Sequence, residues 1–248
     1  VDFVVKGVKL IKYGQEIIQK LSDKKIHPIF AVPGGVNKAL SVENRDSMLS
    51  QYDEMLDYAQ AGIEVAKSWL EANSELLEKC ASFKSGYMGL VSEGDALELY
   101  DGKVKLIGKD GSLLEKFDGN NYLDYINEHV EDWSYLKFPF YKEMGYPDGV
   151  YRVGPLGRLN VAEKITTPIA NEEFKNFKAI ADGPVEPSLY FHYARLIELV
   201  YGLERAKELL EDPDITSKDI RADSNKITGE GVGTIEAPRG TLFHHYQC

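Results

Sequence analysis

The chain has 248 residues, 43% apolar and 28% charged, long enough to bury a core as one large domain or two small ones. Forty acidic against 29 basic residues leave a net charge of −11, so the average surface repels phosphates and nucleic acid is excluded as a partner class. The apolar runs fall far short of the roughly 20 residues that cross a bilayer, there is no secretory signal pattern, and the two cysteines, Cys80 and Cys248, form no disulfide framework, so a soluble globular protein in a reducing compartment is expected.

Residues 3–22 place Val4, Val8, Ile11 and Ile18 on one helical stripe and Leu10, Tyr13, Ile17 and Leu21 on its neighbour, which predicts a helix buried on more than one side. A second, longer helix is expected over 43–70, where Met48, Tyr52, Met55, Ala59, Gly62, Ala66 and Trp69 recur at the helical period. Asn73-Ser74 interrupts it before a short helical piece at 75–80. From residue 86 the period changes to two, with strands expected at 87–91, 97–100, 104–107 and 113–117. Asp101-Gly102, Asp110-Gly111 and Asp118-Gly119 punctuate them as turn dipeptides, giving an antiparallel meander. The aromatic stretch 120–150, broken by Pro139 and Pro147, reads as half-buried extended chain. Helix returns at 171–181 and, after Pro187, through about residue 210, with Leu189, Tyr193, Leu196, Val200 and Leu203 on one stripe. Residues 211–228 are polar coil with one helical turn near 214–219.

These elements predict an α+β protein, a mainly helical core of long buried helices with a small antiparallel β-meander inserted. Its segments are 1–83 (helical), 84–158 (β-rich insertion), 159–222 (helical) and 223–248 (a glycine-rich segment), taken together as one domain.

The last segment is the most informative. Residues 229–246 read Gly-Glu-Gly-Val-Gly-Thr-Ile-Glu-Ala-Pro-Arg-Gly-Thr-Leu-Phe-His-His-Tyr. Three glycines permit close backbone approach, Pro238 fixes one φ angle and Gly240 frees the next position, so Arg239 is held rather than merely displayed. This run resembles the Glu-Ala-Pro-Arg-Gly segment near the active site of [NiFe]-hydrogenase large subunits. Residues 26–36, Ile-His-Pro-Ile-Phe-Ala-Val-Pro-Gly-Gly-Val, resemble a second conserved segment of that family, and Tyr-Arg-Val-Gly-Pro-Leu-Gly-Arg-Leu-Asn at 151–160 and Tyr-Ala-Arg-Leu-Ile-Glu at 193–198 echo it further. The resemblance covers essentially the whole chain. The ending Thr-Leu-Phe-His-His-Tyr at 241–246 is most similar to the cytoplasmic branch of the family, whose members work with NAD, F420 or viologen-type acceptors.

The resemblance implies a nickel–iron centre with carbon monoxide and cyanide ligands in the intact subunit, where H2 is converted reversibly to protons and electrons. Arg239 would hang over the open position of that centre as catalytic residue, an electrostatic organiser in preference to a base because guanidinium resists deprotonation. Ala237 and Pro238 would line the pocket of the iron's diatomic ligands. His27 would lie toward an iron–sulfur small subunit, with further electron-transfer subunits beyond it. The family holds its metals by two Cys-x-x-Cys pairs, and none occurs here. Thiolates are required for such a site, so no metal ligand is expected within this chain and no cofactor bound to it. It is read as an interior fragment, inactive alone, with bared apolar surface that favours self-association. The alternatives are the quinone-site subunit of respiratory complex I, of the same fold, and a noncatalytic helical assembly module.

Each candidate has an ordinary reading beside the functional one. Arg239 would ordinarily form a structural ion pair with Glu236 or Glu198. His27 would be a capped loop residue, and His244 and His245, on extended chain, would point to opposite faces, so that at most one addresses a site. His192 reads as a packed or exposed helix residue. Gly229-x-Gly-x-Gly233 lacks the helix and the further glycine of a dinucleotide loop. The acidic stretches 93–101 and 128–132 read as solvated faces.

Overall fold

The computed structural model describes residues 2–222 and 229–248. These divide into two compact units, residues 2–69 with 199–222 and residues 70–198 with 229–248. Both units are α+β in character, helices with small antiparallel sheets. No described helix is long and apolar enough to cross a membrane.

The first unit begins with α1 (Asp2–Ser22), which carries Asp2 in its first turn and Lys20 in its last, matching the helix dipole at both ends. The expectation that α1 is buried on more than one side fails: Val4, Val8 and Ile11 are 66%, 59% and 66% exposed. Its buried anchor is Tyr13, whose hydroxyl donates to the Met48 carbonyl at 3.0 Å. Periodicity reports that a face is apolar, not that something covers it. A two-stranded hairpin, β1 (Ala31–Val32) and β2 (Gly35–Val36), follows and is tied to the 220–222 segment by the Val36 amide to Ile220 O and the Ala222 amide to Gly34 O.

The single long helix expected over 43–70 is two helices, α2 (Val42–Leu49) and α3 (Tyr52–Ala72). Ser41 caps the first by accepting from the Asn44 amide, and the chain leaves it through a tighter bond from the Gln51 amide to Met48 O. Met48, Tyr52, Met55, Ala59 and Ile63 are all buried across this break. The apolar stripe is thus continuous although the helix is not, which is why the period alone did not reveal the interruption. Met48 packs with Leu40 and Leu210 at the centre of a small core that takes in Ile17, Leu21 and Ile215; Leu210 belongs to α8 (Tyr190–Glu211). A 3-10 turn, Pro213–Thr216, stands where one helical turn was expected.

The second unit opens on the short helix α4 (Ser74–Lys79) and then a meander of β3 (Gly86–Val91), β4 (Lys103–Ile107) and β5 (Leu113–Phe117). Asp110-Gly111 turns the chain between β4 and β5, with Gly111 at φ 82° and the Asp110 carboxylate accepting from the Ser112 amide. The strand expected at 97–100 does not form. Leu97 makes one isolated bridge to Val91, and its amide is taken by Lys164 O at 2.9 Å. The fourth strand is β8 (Tyr151–Arg152), which lies parallel to β3 and gives the order β5-β4-β3-β8. Within 120–150 the chain is less extended than expected: Asp118 caps a 3-10 turn, a single turn α5 (Tyr122–Tyr125) follows, and β6 (Ile126–His129) pairs with β7 (Phe138–Tyr141). Trp133 and Tyr135, 78% and 95% exposed, sit in the connection between those strands, so the half-buried reading holds for the strands and fails there.

All six residues of β3 are buried because both its faces are covered. Met88 and Leu90 face a core of Val104, Leu106, Phe117, Ile126 and Tyr141. On the other face lies α6 (Gly154–Val161), a helix whose eight residues are all buried and which sequence reading missed. Two glycines and a proline give it little intrinsic helix preference. Its existence depends on packing: a Cβ on Gly157 would stand 2.8 Å from Arg152 O and 2.9 Å from Met88 O, so only glycine lets the helix lie this close to the sheet. α7 (Pro168–Lys178) and the first half of α8 agree with expectation and bury Phe174, Phe177, Tyr193 and Ile197.

Candidate active site

The glycine-rich segment is a β-hairpin, β9 (Glu230–Ala237) and β10 (Gly240–Gln247), with Ala237 opposite Gly240 and Pro238-Arg239 as its two-residue turn. The glycines work differently from expectation. Cβ atoms on Gly229, Gly231 and Gly233 would meet nothing within 4 Å, so none of them is there for close approach. The tight contacts are at the turn, where a Cβ on Gly240 would come 2.3 Å from Val153 Cγ2 and one on Gly154 would come 2.8 Å from Arg239 O.

Two carbonyls of the turn are held from outside the hairpin. Ala237 O accepts from Arg158 Nη1 at 2.9 Å and Pro238 O accepts from Arg195 Nη1 at 3.3 Å, while Arg239 O lies where a Cβ on Gly154 would stand 2.8 Å from it. Ala237 is half-buried, and Pro238 and Arg239 are exposed. Among the described residues no hydrogen bond or ion pair engages the Arg239 guanidinium.

Beneath the turn lies a buried charge cluster. Arg158, projecting from α6, donates through Nε and Nη2 to the two oxygens of Glu198 at 2.6 and 2.7 Å, and through Nη1 to Glu236 Oε2 at 2.8 Å. The other Glu236 oxygen accepts from the Leu90 amide at 2.9 Å and the Thr241 hydroxyl at 2.7 Å. The side chains of Arg158, Glu198 and Glu236 are 3%, 10% and 0% exposed. Removing three charges from water is tolerable only because nearly every donor and lone pair is satisfied. Burial works against the Arg158 charge, but Glu198 and Glu236 outweigh it and hold the guanidinium above its ordinary range. Burial raises the Glu198 carboxyl above the usual range, and the neighbouring Glu236 charge adds to this against the pull of Arg158. One cation between two carboxylates leaves the cluster a net negative charge, which is why one of them is so disfavoured as an anion.

The ordinary reading of Arg239, an ion pair with Glu236 or Glu198, is therefore not what the fold makes: both carboxylates are taken by Arg158. Arg158, within the motif at 151–160, carries no local signal in the sequence that marks it as the partner of these acids. Arg152, in the same run, is a structural clamp that donates to Ser85 Oγ at 2.9 Å, Glu186 O at 2.6 Å and Phe83 O at 2.9 Å.

The histidines separate as strand alternation requires. His245 is half-buried, with Nε2 2.6 Å from Glu230 Oε1 and Nδ1 3.2 Å from the Tyr122 hydroxyl, whereas His244 is exposed, with Nδ1 3.0 Å from the Tyr246 hydroxyl. His192 is exposed on α8, and His27, exposed at φ 50°, belongs to the other unit. Among the described residues no three His, Cys, Asp or Glu side chains are grouped to hold a metal ion, and Cys80 and Cys248 are free and exposed. A cleft of about 570 Å³ lies away from all these residues, between Ser74, Leu77, Lys109 and Tyr190. A smaller cavity of about 380 Å³ reaches the hairpin at Thr241 and Phe243. Neither displaces the turn as the candidate, because chemistry needs convergent polar groups and the turn has them.

The chain is 43% identical over 246 residues to a component of the F420-non-reducing hydrogenase vhu of Methanocaldococcus jannaschii, an alignment covering 99% of this chain and 59% of the relative. It is 40% identical over 256 residues to the beta component of the NAD-reducing hydrogenase HoxS of Cupriavidus necator, covering 100% of this chain and 52% of that one. The chain is a homologue of hydrogenase subunits. Its fold superposes on the crystal structure of an NAD+-reducing [NiFe]-hydrogenase in the H2-reduced state with a TM-score of 0.94, at 36% identity over 99% of this chain and 55% of that one. A [NiFeSe]-hydrogenase from Dm. baculatum shares the fold at a TM-score of 0.75 and 18% identity. The chain spans about half the length of the curated relatives it matches. No protein-family model matches it.

Proposed function

We propose that this chain is part of the H2-activating large subunit of a cytoplasmic [NiFe]-hydrogenase, which interconverts H2 with protons and electrons and passes the electrons through an iron–sulfur subunit to further carriers. The observation that carries the reading is the Arg239 turn: a guanidinium without a counter-ion among the described residues, on backbone held at the two carbonyls that precede it. Its setting in a chain 40% identical over its whole length to part of a hydrogenase supports that reading.

The implied centre is held by thiolates, and the described residues offer only two free, exposed cysteines and no grouped donors, so they do not fit as its ligands. What this chain supplies is a fixed positive charge. A permanent cation pre-positioned on stiff backbone costs no reorganisation during a reaction. Ala237 and Pro238 form the wall beside it, and His27 is assigned to the surface that meets the iron–sulfur subunit.

The test is isotope exchange between D2 and water by the complete subunit in its complex, because this exchange reads H2 cleavage without electron transfer to an acceptor. Arg239→Gln should lower it by about 10²–10³-fold, the usual loss for one pre-positioned electrostatic group, with nickel content unchanged. Exchange within about threefold of the parent, in a protein that retains nickel, would remove Arg239 from the mechanism.

A further inference from the structure

We infer that Arg158, aided by Arg195, is the positioning residue for Arg239, and that it works in two ways: it fixes the backbone of the turn and it occupies Glu236, the acid three residues before Arg239. The inference rests on the role proposed for Arg239.

The first effect follows from where the guanidinium donates. Arg158 has four bonds to three groups, and one of the acceptors is the turn's own Ala237 carbonyl, two residues from Arg239. Gly154 of the same helix leaves no room for a Cβ beside Arg239 O, and Arg195 holds the Pro238 carbonyl. Consecutive carbonyls at 237 and 238 are therefore set by side chains of α6 and α8, elements whose places are fixed by packing. A planar fork can hold a carboxylate and a carbonyl in one geometry, whereas an ammonium at the same place is a point charge that cannot.

The second effect is electrostatic. Glu236 lies three residues before Arg239 and is the acid nearest to it along the hairpin, so it would be the natural counter-ion of an Arg at this turn. Its Oε2 is instead taken by Arg158, and its Oε1 by the Leu90 amide and Thr241. Glu198 is likewise held through both oxygens. A guanidinium paired with a carboxylate presents a neutral unit to anything that approaches; by engaging Glu236 and Glu198, Arg158 keeps these two acids from forming that pair with Arg239.

A double-mutant cycle in the complete enzyme complex tests this. With Arg239 intact, Arg158→Lys should slow D2–water exchange by about 10–100-fold, the scale of loss from displacing a reacting group by about 1 Å. In the Arg239→Gln background the same substitution should change the rate by less than about threefold, because the group it positions is gone. Amide hydrogen exchange at Gly240 and Thr241 should rise in Arg158→Lys while nickel content holds, a readout independent of turnover. Arg195→Gln removes an exposed donor without opening the core, and it should give a smaller loss that likewise vanishes with Arg239→Gln. Equal losses in both backgrounds, or no loss in either, would overturn the inference. If Arg158→Lys does not assemble, the Arg195→Gln pair decides by the same criterion. Full activity of Arg239→Gln alone would instead sink the proposed function, so the two failures are distinguishable.

Discussion

Replacing Glu236 probes the buried cluster most directly, because its side chain is 0% exposed and carries three hydrogen bonds. Glu236→Ala strands the Leu90 amide, the Thr241 hydroxyl and one edge of Arg158. Removing one partner of a buried ion pair ordinarily costs about 3–5 kcal/mol. Here Arg158 keeps its two-pronged bond to Glu198 and is not left uncompensated, so the loss belongs at the lower end of that range, about 3 kcal/mol. Glu236→Gln preserves an acceptor for Leu90 and Thr241 but turns an amide N–H2 toward a guanidinium N–H. It forfeits one charged hydrogen bond, about 1.5–3 kcal/mol. The assay is native-state hydrogen exchange at Leu90, whose amide donates directly to Glu236. A loss of about 3 kcal/mol corresponds to roughly 10²-fold faster exchange through local opening. Denaturant unfolding should rank parent, Glu236→Gln and Glu236→Ala in falling stability. An acceleration below about threefold for Glu236→Ala would mean that the carboxylate is not the pin described, and the argument for a held turn would fall with it.

Two further outcomes follow from the same region. Gly154 has φ 78° and no room for a Cβ beside Arg239 O, so Gly154→Ala should cost about 1–2 kcal/mol of backbone strain and also shift the turn, lowering both the thermal midpoint and the exchange rate; an unchanged midpoint would refute this. Glu198 has a raised folded-state pKa, so the folded form binds its proton more tightly than the unfolded form does. The contribution is fully present below the unfolded value of about 4.3 and is lost as pH rises from there to the raised value. Stability relative to Glu198→Gln, followed by denaturant titration across pH, should therefore decline over that window, and a difference that rises or stays flat contradicts the assignment.

What the sequence made legible was local. Helices with an apolar stripe were found at α1, α7 and α8, and the turn dipeptide Asp110-Gly111 marked a real reversal, because both signals arise within a few residues. The misses share a different cause. The break between α2 and α3 is hidden by a stripe that stays in phase across it, and α1 shows an apolar face that exists without a cover inside its own unit. α6 has a sequence poor in helix formers and is a helix because β3 and Gly157 give it a place to lie. At 229–233 the glycines suggested close approach where none is needed; the tight fit came from Gly240 and Gly154, far apart in sequence.

The cation at the heart of the cluster was nonetheless within reach of a charge argument. Four arginines occur in the motif-bearing runs: Arg152, Arg158, Arg195 and Arg239. A hairpin turn puts its second residue outside, which leaves Arg239 in solvent, and Arg195 is exposed on its helix. Arg152 starts from a two-residue edge strand and is satisfied chiefly by carbonyls and hydroxyls. Arg158 alone stands within Gly-Pro-Leu-Gly-Arg-Leu-Asn-Val, a stretch with no other ionisable group, where any regular structure would bury it. A buried arginine must find carboxylates, since it cannot shed its proton. Glu198 and Glu236 lie in two of the other three motif-bearing runs, so three of the four motifs are joined through one ion cluster rather than through the residue that looks most chemical. That division of labour explains why, among the described residues, the exposed arginine of the turn has no counter-ion: the two acids of these motifs are already satisfied by a deeper cation.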